Sequence, residues 1–238
     1  MKNILNPILI FSIVLLLGAC SLKLDEPQEE VSKNNNSTIS SNSVNKENGT
    51  YTPVERDVNR TLIVYFSMPE TAGTDALAGA SRVVTDGEVL GNTQQIAYWI
   101  EEEIGANIFQ ITTVDEYPGD HDELVAQGEA ENESNFRPEI LSHIENLDDY
   151  DTILFGYPVW VYDLPSVIYS FLDDTDFSGK TIIPFSTHGG SQFTNTRETI
   201  VELEPDAIVE VDNGLTISRN DVPESQQEVL DWLSEIGY

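Results

Sequence analysis

The sequence predicts an α/β fold of three layers, a doubly wound five-stranded parallel sheet with helices on both faces, and the pattern of apolar runs carries that prediction. Thr61-Leu62-Ile63-Val64-Tyr65-Phe66 is an unbroken β-branched, aliphatic and aromatic stretch, as expected of a strand buried on both faces. Comparable strands are expected at Asn107 to Ile111, Thr152 to Gly156 and Thr181 to Phe185, with a more polar fifth at Ala207 to Val211. Helical patterns separate them, and with right-handed crossovers that alternation leaves the doubly wound arrangements as leading candidates.

The helices are read from their apolar stripes and their ends. Ile96, Ile100 and Ile104 recur at four-residue spacing after Asn92-Thr93, laying one aliphatic face against the sheet, with Glu101 to Glu103 on the other. Leu164, Ile168, Phe171 and Leu172 form a second stripe, with Asp163 as its expected N-cap and Pro165 in its first turn. Val229, Trp232, Leu233 and Ile236 form the last. Weaker helical patterns cover Asp120 to Glu133, which Gly128 interrupts, and Ser191 to Leu203.

The first residues give an address. Lys2 precedes an apolar run from Ile8 to Leu17, too short for an ordinary spanning helix, and Leu17-Gly18-Ala19-Cys20 comes directly after it. That tetrapeptide looks like a lipobox, so residues 1–19 are expected to be a lipoprotein signal peptide and Cys20 a lipidated anchor on the extracytoplasmic face of the cell membrane. Cys20 is the only cysteine, which excludes an internal disulfide and thiol chemistry in the exported part. Residues 20–60 are polar, include Asn34-Asn35-Asn36-Ser37, and bury too little to offset ordering entropy; they are expected to be a disordered tether. A coil of about forty residues reaches roughly 35 Å. The folded domain is then expected over 61–238.

Composition removes one class of partner. Acidic residues outnumber basic ones 42 to 11, for a formal charge of -31, which repels nucleic-acid phosphates and anionic lipid headgroups. The same charge suits a soluble exported surface or a face for a basic redox partner.

In doubly wound folds ligands sit at the carboxyl ends of the strands, so the segments after strands one, three and four matter most. Ser67 comes after the first, Tyr157-Pro158-Val159-Trp160 after the third, and Ser186-Thr187-His188-Gly189-Gly190-Ser191 after the fourth. Gly91, Asn92 and Thr93 open a helix, where backbone N–H groups and hydroxyls suit a phosphate monoester, with Ser67 beside them. Trp160 offers a flat apolar partner for an aromatic ring, Tyr157 or Tyr162 a cover for another edge. Gly189 and Gly190 allow the backbone to approach a ligand closely.

Tyr65-Phe66-Ser67, Gly91-Asn92-Thr93, Gly156-Tyr157-Pro158-Val159-Trp160 and Thr187-His188-Gly189-Gly190-Ser191 together resemble the flavodoxin family in order and spacing, over essentially all of 61–238. The resemblance implies a strand order of 2-1-3-4-5 and a noncovalent FMN held by Ser67, Gly91, Asn92, Thr93, Tyr157, Pro158, Val159, Trp160, Thr187, His188, Gly189 and Gly190. In compact flavodoxins the phosphate loop is continuous after strand one, whereas here Met68 to Leu90 intervenes; a branch of the family carries an insertion at this point, and the segment can shape a lid.

Other chemistries find little support. His121, His143 and His188 are far apart in sequence and lack cysteine companions for a metal centre. Asp174-Thr175-Asp176-Phe177-Ser178-Gly179 copies the start of a calcium loop, but Phe185 stands where a bidentate glutamate is needed, so a turn is expected. His188 is either a hydrogen-bonding or proton-transferring partner of the flavin or a loop histidine that sets its neighbours' backbone. The resemblance implies one of three roles: an electron carrier between proteins, an enzyme taking hydride from NADH or NADPH to reduce a quinone or other small acceptor, or a binding module without redox work. The overall acidity disfavours an anionic reduced flavin.

Overall fold

The computed structural model describes residues 55–71, 82–85 and 87–238. The expected signal peptide, Cys20, most of the expected tether and residues 72–81 and 86 of the insertion lie outside them. The elements in order are β1 (Thr61–Tyr65), β2 (Val83–Thr85), β3 (Glu88–Leu90), α1 (Asn92–Ile104), β4 (Asn107–Gln110), α2 (His121–Ser134), β5 (Thr152–Pro158), α3 (Ser166–Asp174), β6 (Thr181–His188), α4 (Thr196–Leu203), β7 (Ile208–Val209), β8 (Leu215–Ser218) and α5 (Gln226–Ile236).

The sheet runs β4-β1-β5-β6, with β7 and then β8 pairing successive parts of β6. Every pairing in it is parallel, in registers such as Ile63↔Leu154 and Leu154↔Ile183. Taking β7 and β8 as one interrupted strand, this is the expected 2-1-3-4-5 order. The fifth strand departs from the expected Ala207 to Val211: β7 keeps two residues, a tight turn fills Val211–Asn213, and pairing resumes at β8. The turn has a partner, since Trp232 Nε1 donates to the Asn213 carbonyl at 2.7 Å.

Side chains alternate between two cores. Leu62, Val64, Ile153, Phe155 and Tyr157 face α2, α3 and α4, packing with Leu124, Ile168, Phe171 and Ile200. Ile63, Tyr65, Leu154, Ile183 and Phe185 face α1 and α5, packing with Ile96, Ile100, Val229 and Leu233. Burial on both faces explains why β1 and β5 are buried at every residue and read as unbroken apolar runs.

Four local expectations shift. Residues 55–60, assigned from the sequence to the tether, belong to the folded part: Arg56 donates to the Ile236 carbonyl and pairs with Glu210 at 2.7 Å, and Arg60 pairs with Asp151. Pro165, not Asp163, holds the N-cap of α3; the Asp163 carboxylate instead accepts from Leu164 N–H and the Tyr169 hydroxyl. α4 starts at Thr196 and not Ser191, because Gln192 and Thr194 take left-handed backbone angles that end helical continuity before it starts. Gly128 does not interrupt α2, which Asp120 caps through Asp122 and Glu123 N–H. There a Cβ would stand 3.5 Å from the Trp160 ring, an ordinary contact, so the ring packs against the helix at this position.

Gly156 has the tightest packing requirement in the sheet: a Cβ there would fall 2.2 Å from the Phe185 ring. Gly156→Ala is expected to lower stability by about 1–3 kcal/mol through overpacking, read as a lower urea midpoint; an unchanged midpoint would show that Phe185 can yield.

Candidate functional site

Parallel pairing places the carboxyl ends of β1, β5, β6 and β8 along one edge, and the segments leaving those ends build the site. Ser67, 2% exposed, lies against the start of α1, although 23 residues separate it from Gly91. A Cβ on Gly91 would fall 2.0 Å from Ser67 Oγ, so the contact needs glycine for space. Its φ of -72° suits any residue, which leaves sterics as the reason. Gly91 N–H donates to Gln94 Oε1 at 3.1 Å, and the carbonyl accepts from Gln95 N–H. Together Ser67 and the first turn of α1 meet in a cradle of donors at the positive end of a 13-residue helix.

Asn92 and Thr93 are both buried. Thr93 is tied across the sheet edge, its hydroxyl 2.8 Å from the Thr187 hydroxyl, while the Thr187 carbonyl accepts from Val159 N–H at 2.8 Å. These bonds link the start of α1, the end of β6 and the loop after β5 into one platform. His188 closes it: Nδ1 accepts from Gly190 N–H at 2.9 Å, which places any ring proton of the neutral form on Nε2. Burial pushes the His188 pKa below the ordinary histidine value, with Asp221 opposing. His188 therefore sets the backbone of the Gly189-Gly190 turn, where Gly190 takes φ +120°.

Beside the platform lies a cleft of about 320 Å³, lined by Val159, Trp160, Val161, Tyr162, Gly189, Leu124 and Val125, with Glu70, His121, Glu129 and Arg219 among its polar groups. Trp160 is held edge-on between Phe66 and Tyr117, centroids 5.5 and 5.4 Å away. Trp160 and Asp163 exchange both backbone hydrogen bonds around Val161 and Tyr162, which have φ of 49° and 65°. Left-handed valine and tyrosine are costly, and such strain concentrates where a loop is shaped for a ligand. Tyr162, 77% exposed, stands at the rim.

Not every residue expected at the site reaches it. The Tyr157 side chain is fully buried in the core and its hydroxyl lies 3.0 Å from Thr196 Oγ1, so of the two tyrosines only Tyr162 borders the cleft. Pro158 is buried and paired opposite Thr187 at the end of β5, shaping the turn. Glu70, His121 and Arg219 were not anticipated. Glu70, 1% exposed, sits at the start of the insertion with its carboxylate 2.8 Å from His121 Nδ1. Arg219 comes directly after β8, and the alternation of Leu215 and Ile217 is the signal that would have revealed that strand end. A larger hollow, about 600 Å³, lies at the amino end of β4, lined by residues including Gly105, Asn107 and Tyr150. It lies at the end of the sheet opposite to the strand-end platform, where doubly wound folds do not place their ligands.

Gly91→Ala is expected to displace Ser67 and cost about 1–3 kcal/mol, read by urea denaturation. A variant as stable as the wild type would mean that Ser67 does not occupy the cradle.

No curated protein matches the chain. Among solved structures, a candidate flavoprotein from Bacteroides eggerthii is 24% identical, with a TM-score of 0.56 over 75% of this chain and 98% of that one. One from Bacteroides uniformis is 25% identical, with a TM-score of 0.55 over 74% and 98%. A flavoprotein from Lactobacillus acidophilus in complex with FMN is 20% identical, with a TM-score of 0.50 over 70% and 97%. The family model for flavodoxin matches residues 83–236, which takes in the α1 start, the Trp160 loop and the His188 turn. On that match the chain belongs to the flavodoxin family.

Proposed function

We propose that this protein binds FMN noncovalently at the strand-end platform and works in electron transfer while anchored through a lipidated Cys20 to the extracytoplasmic face of the membrane. The observation that carries the reading is the meeting of Ser67 with Gly91 beside a Trp160-lined cleft, in a chain of the flavodoxin family. The residues fit the cofactor. Ser67 and the N–H groups at Asn92 and Thr93 would hold its phosphate without a lysine, while Gly91, whose own N–H donates to Gln94 Oε1, gives the space for the close approach. The cleft volume of about 320 Å³ and its apolar walls suit a planar ring system. Bound FMN would supply one- or two-electron chemistry, and the protein would orient it and set the surrounding charge.

A second reading, an FMN-dependent oxidoreductase using NADH or NADPH, is favoured by one feature. The cleft contains His121, held by the Glu70 carboxylate, which is the arrangement of a histidine poised to exchange a proton with a bound acceptor. The FMN-binding reading is supported by the complex of the Lactobacillus acidophilus relative, whose fold this chain shares.

The absorbance spectrum of the purified protein, taken after incubation with FMN and removal of free cofactor, is expected to keep a flavin band. Its bleaching by NADH or NADPH under anaerobic conditions would favour the oxidoreductase, and persistence until a partner protein is added would favour the carrier. An absent band would contradict both and leave a binding module. For the anchor, Cys20→Ser is expected to move the protein from the membrane fraction and to abolish fatty-acid labelling; unchanged labelling would remove that part of the proposal.

A further inference from the structure

The cleft contains a cation that the fold does not employ. Among the described residues every other lysine or arginine side chain has a partner: Arg56 pairs with Glu210, Arg60 with Asp151, Arg137 with Asp173, Lys180 donates to the Tyr150 carbonyl, Arg197 to the Val211 carbonyl, and Arg82 is also engaged. The Arg219 guanidinium makes no hydrogen bond or ion pair among the described residues, and its Nε is buried without a partner. Its position is nevertheless fixed, because Arg219 N–H donates to the His188 carbonyl at 2.8 Å and its guanidinium lies over Gly189, where a Cβ would be 3.5 Å from Nη1. In a chain with 42 acidic residues against 11 basic ones, an unpaired arginine lining an apolar cleft is a retained positive charge aimed at a ligand.

The topology indicates which part of that ligand it meets. Arg219 stands at the end of β8, three strand positions from the end of β1, where Ser67 lies. At the usual spacing between strands that is on the order of 14 Å, too far to share the phosphate cradle. Building on the FMN reading above, we propose that Arg219 is the counter-charge for the reduced, anionic flavin ring. Two electrons and one proton convert the oxidised ring to that anion. The other charged groups on the cleft are Glu70, His121 and Glu129, with His188 and Asp221 beside it. Glu70 is engaged by His121, so Arg219 is the cleft's permanent cation. The global acidity thus does not decide the local charge: Arg219 offsets in the cleft the repulsion that the surface would otherwise impose.

The test compares wild type, Arg219→Gln and Arg219→Lys, each loaded with FMN and separately with riboflavin. Dissociation constants are measured for the oxidised flavins, and midpoint potentials by anaerobic titration with dithionite, which supplies the electrons while solvent supplies the proton. Arg219→Gln is expected to bind oxidised FMN within about twofold of wild type, which also shows that it is folded. It is expected to bind the reduced form about tenfold more weakly relative to the oxidised, a fall of about 30 mV for a two-electron couple. Arg219→Lys is expected to recover most of that loss, and riboflavin to show the same shift as FMN. Equal potentials in loaded wild type and Arg219→Gln overturn the proposal and leave FMN binding intact. A loss equal in both redox states and confined to FMN overturns it in favour of a phosphate contact. A wild-type protein that takes up neither flavin overturns the FMN reading and this inference with it.

Discussion

The parallel ladder joining β1, β5 and β6 is the constraint on which the rest depends. Because the strands run the same way, their carboxyl ends fall together, and each crossover helix must return across a face of the sheet. Those helices bury both faces, which demands apolar side chains on successive residues. The same geometry gathers segments distant in sequence: Ser67 from β1, the Trp160 loop from β5, the His188 turn from β6 and Arg219 from β8. None of these segments is a site by itself. The sheet makes them one.

The two halves of the site are stabilised differently. On the cradle side, close contact replaces charge: glycine at 91 admits Ser67 Oγ, and the Thr93 and Thr187 hydroxyls fasten α1 to β6. In the cleft, aromatic packing fixes Trp160 between Phe66 and Tyr117, and α2 approaches it at Gly128. The Tyr117 hydroxyl in turn donates to Glu131 at 2.8 Å, and burial together with that carboxylate raises its pKa, so this tyrosine stays a neutral donor. A wall packed in this way would receive a planar ligand with little reorganisation.

Much of this was legible in sequence for a physical reason. Strands buried on both faces, such as Thr61 to Tyr65 and Thr152 to Pro158, leave continuous apolar runs, and α1 shows its stripe because one face alone is buried. The helix start located Gly91, and the glycine pair after the fourth strand located Gly189. The fifth strand is legible only in its first part, β7, because it is interrupted and lies at the sheet edge, where β8 needs only alternate apolar residues. Losing β8 meant losing Arg219. Tyr157 was read toward the ligand, yet it lies inside β5, where side chains alternate and its direction follows the core. Glu70 and His121 meet only in three dimensions, 51 residues apart, and no periodicity announces such a pair.

The central claim is that a flavin occupies the carboxyl edge of the sheet with its phosphate on Ser67 and the start of α1. Its most direct test is a backbone and indole N–H NMR titration of the protein with FMN. The account predicts saturable shifts concentrated at Ser67, Gly91 to Thr93, Trp160, Gly189 and Gly190. Shifts confined to Gly105, Asn107 and Tyr150 at the opposite hollow, or none at all, would contradict it.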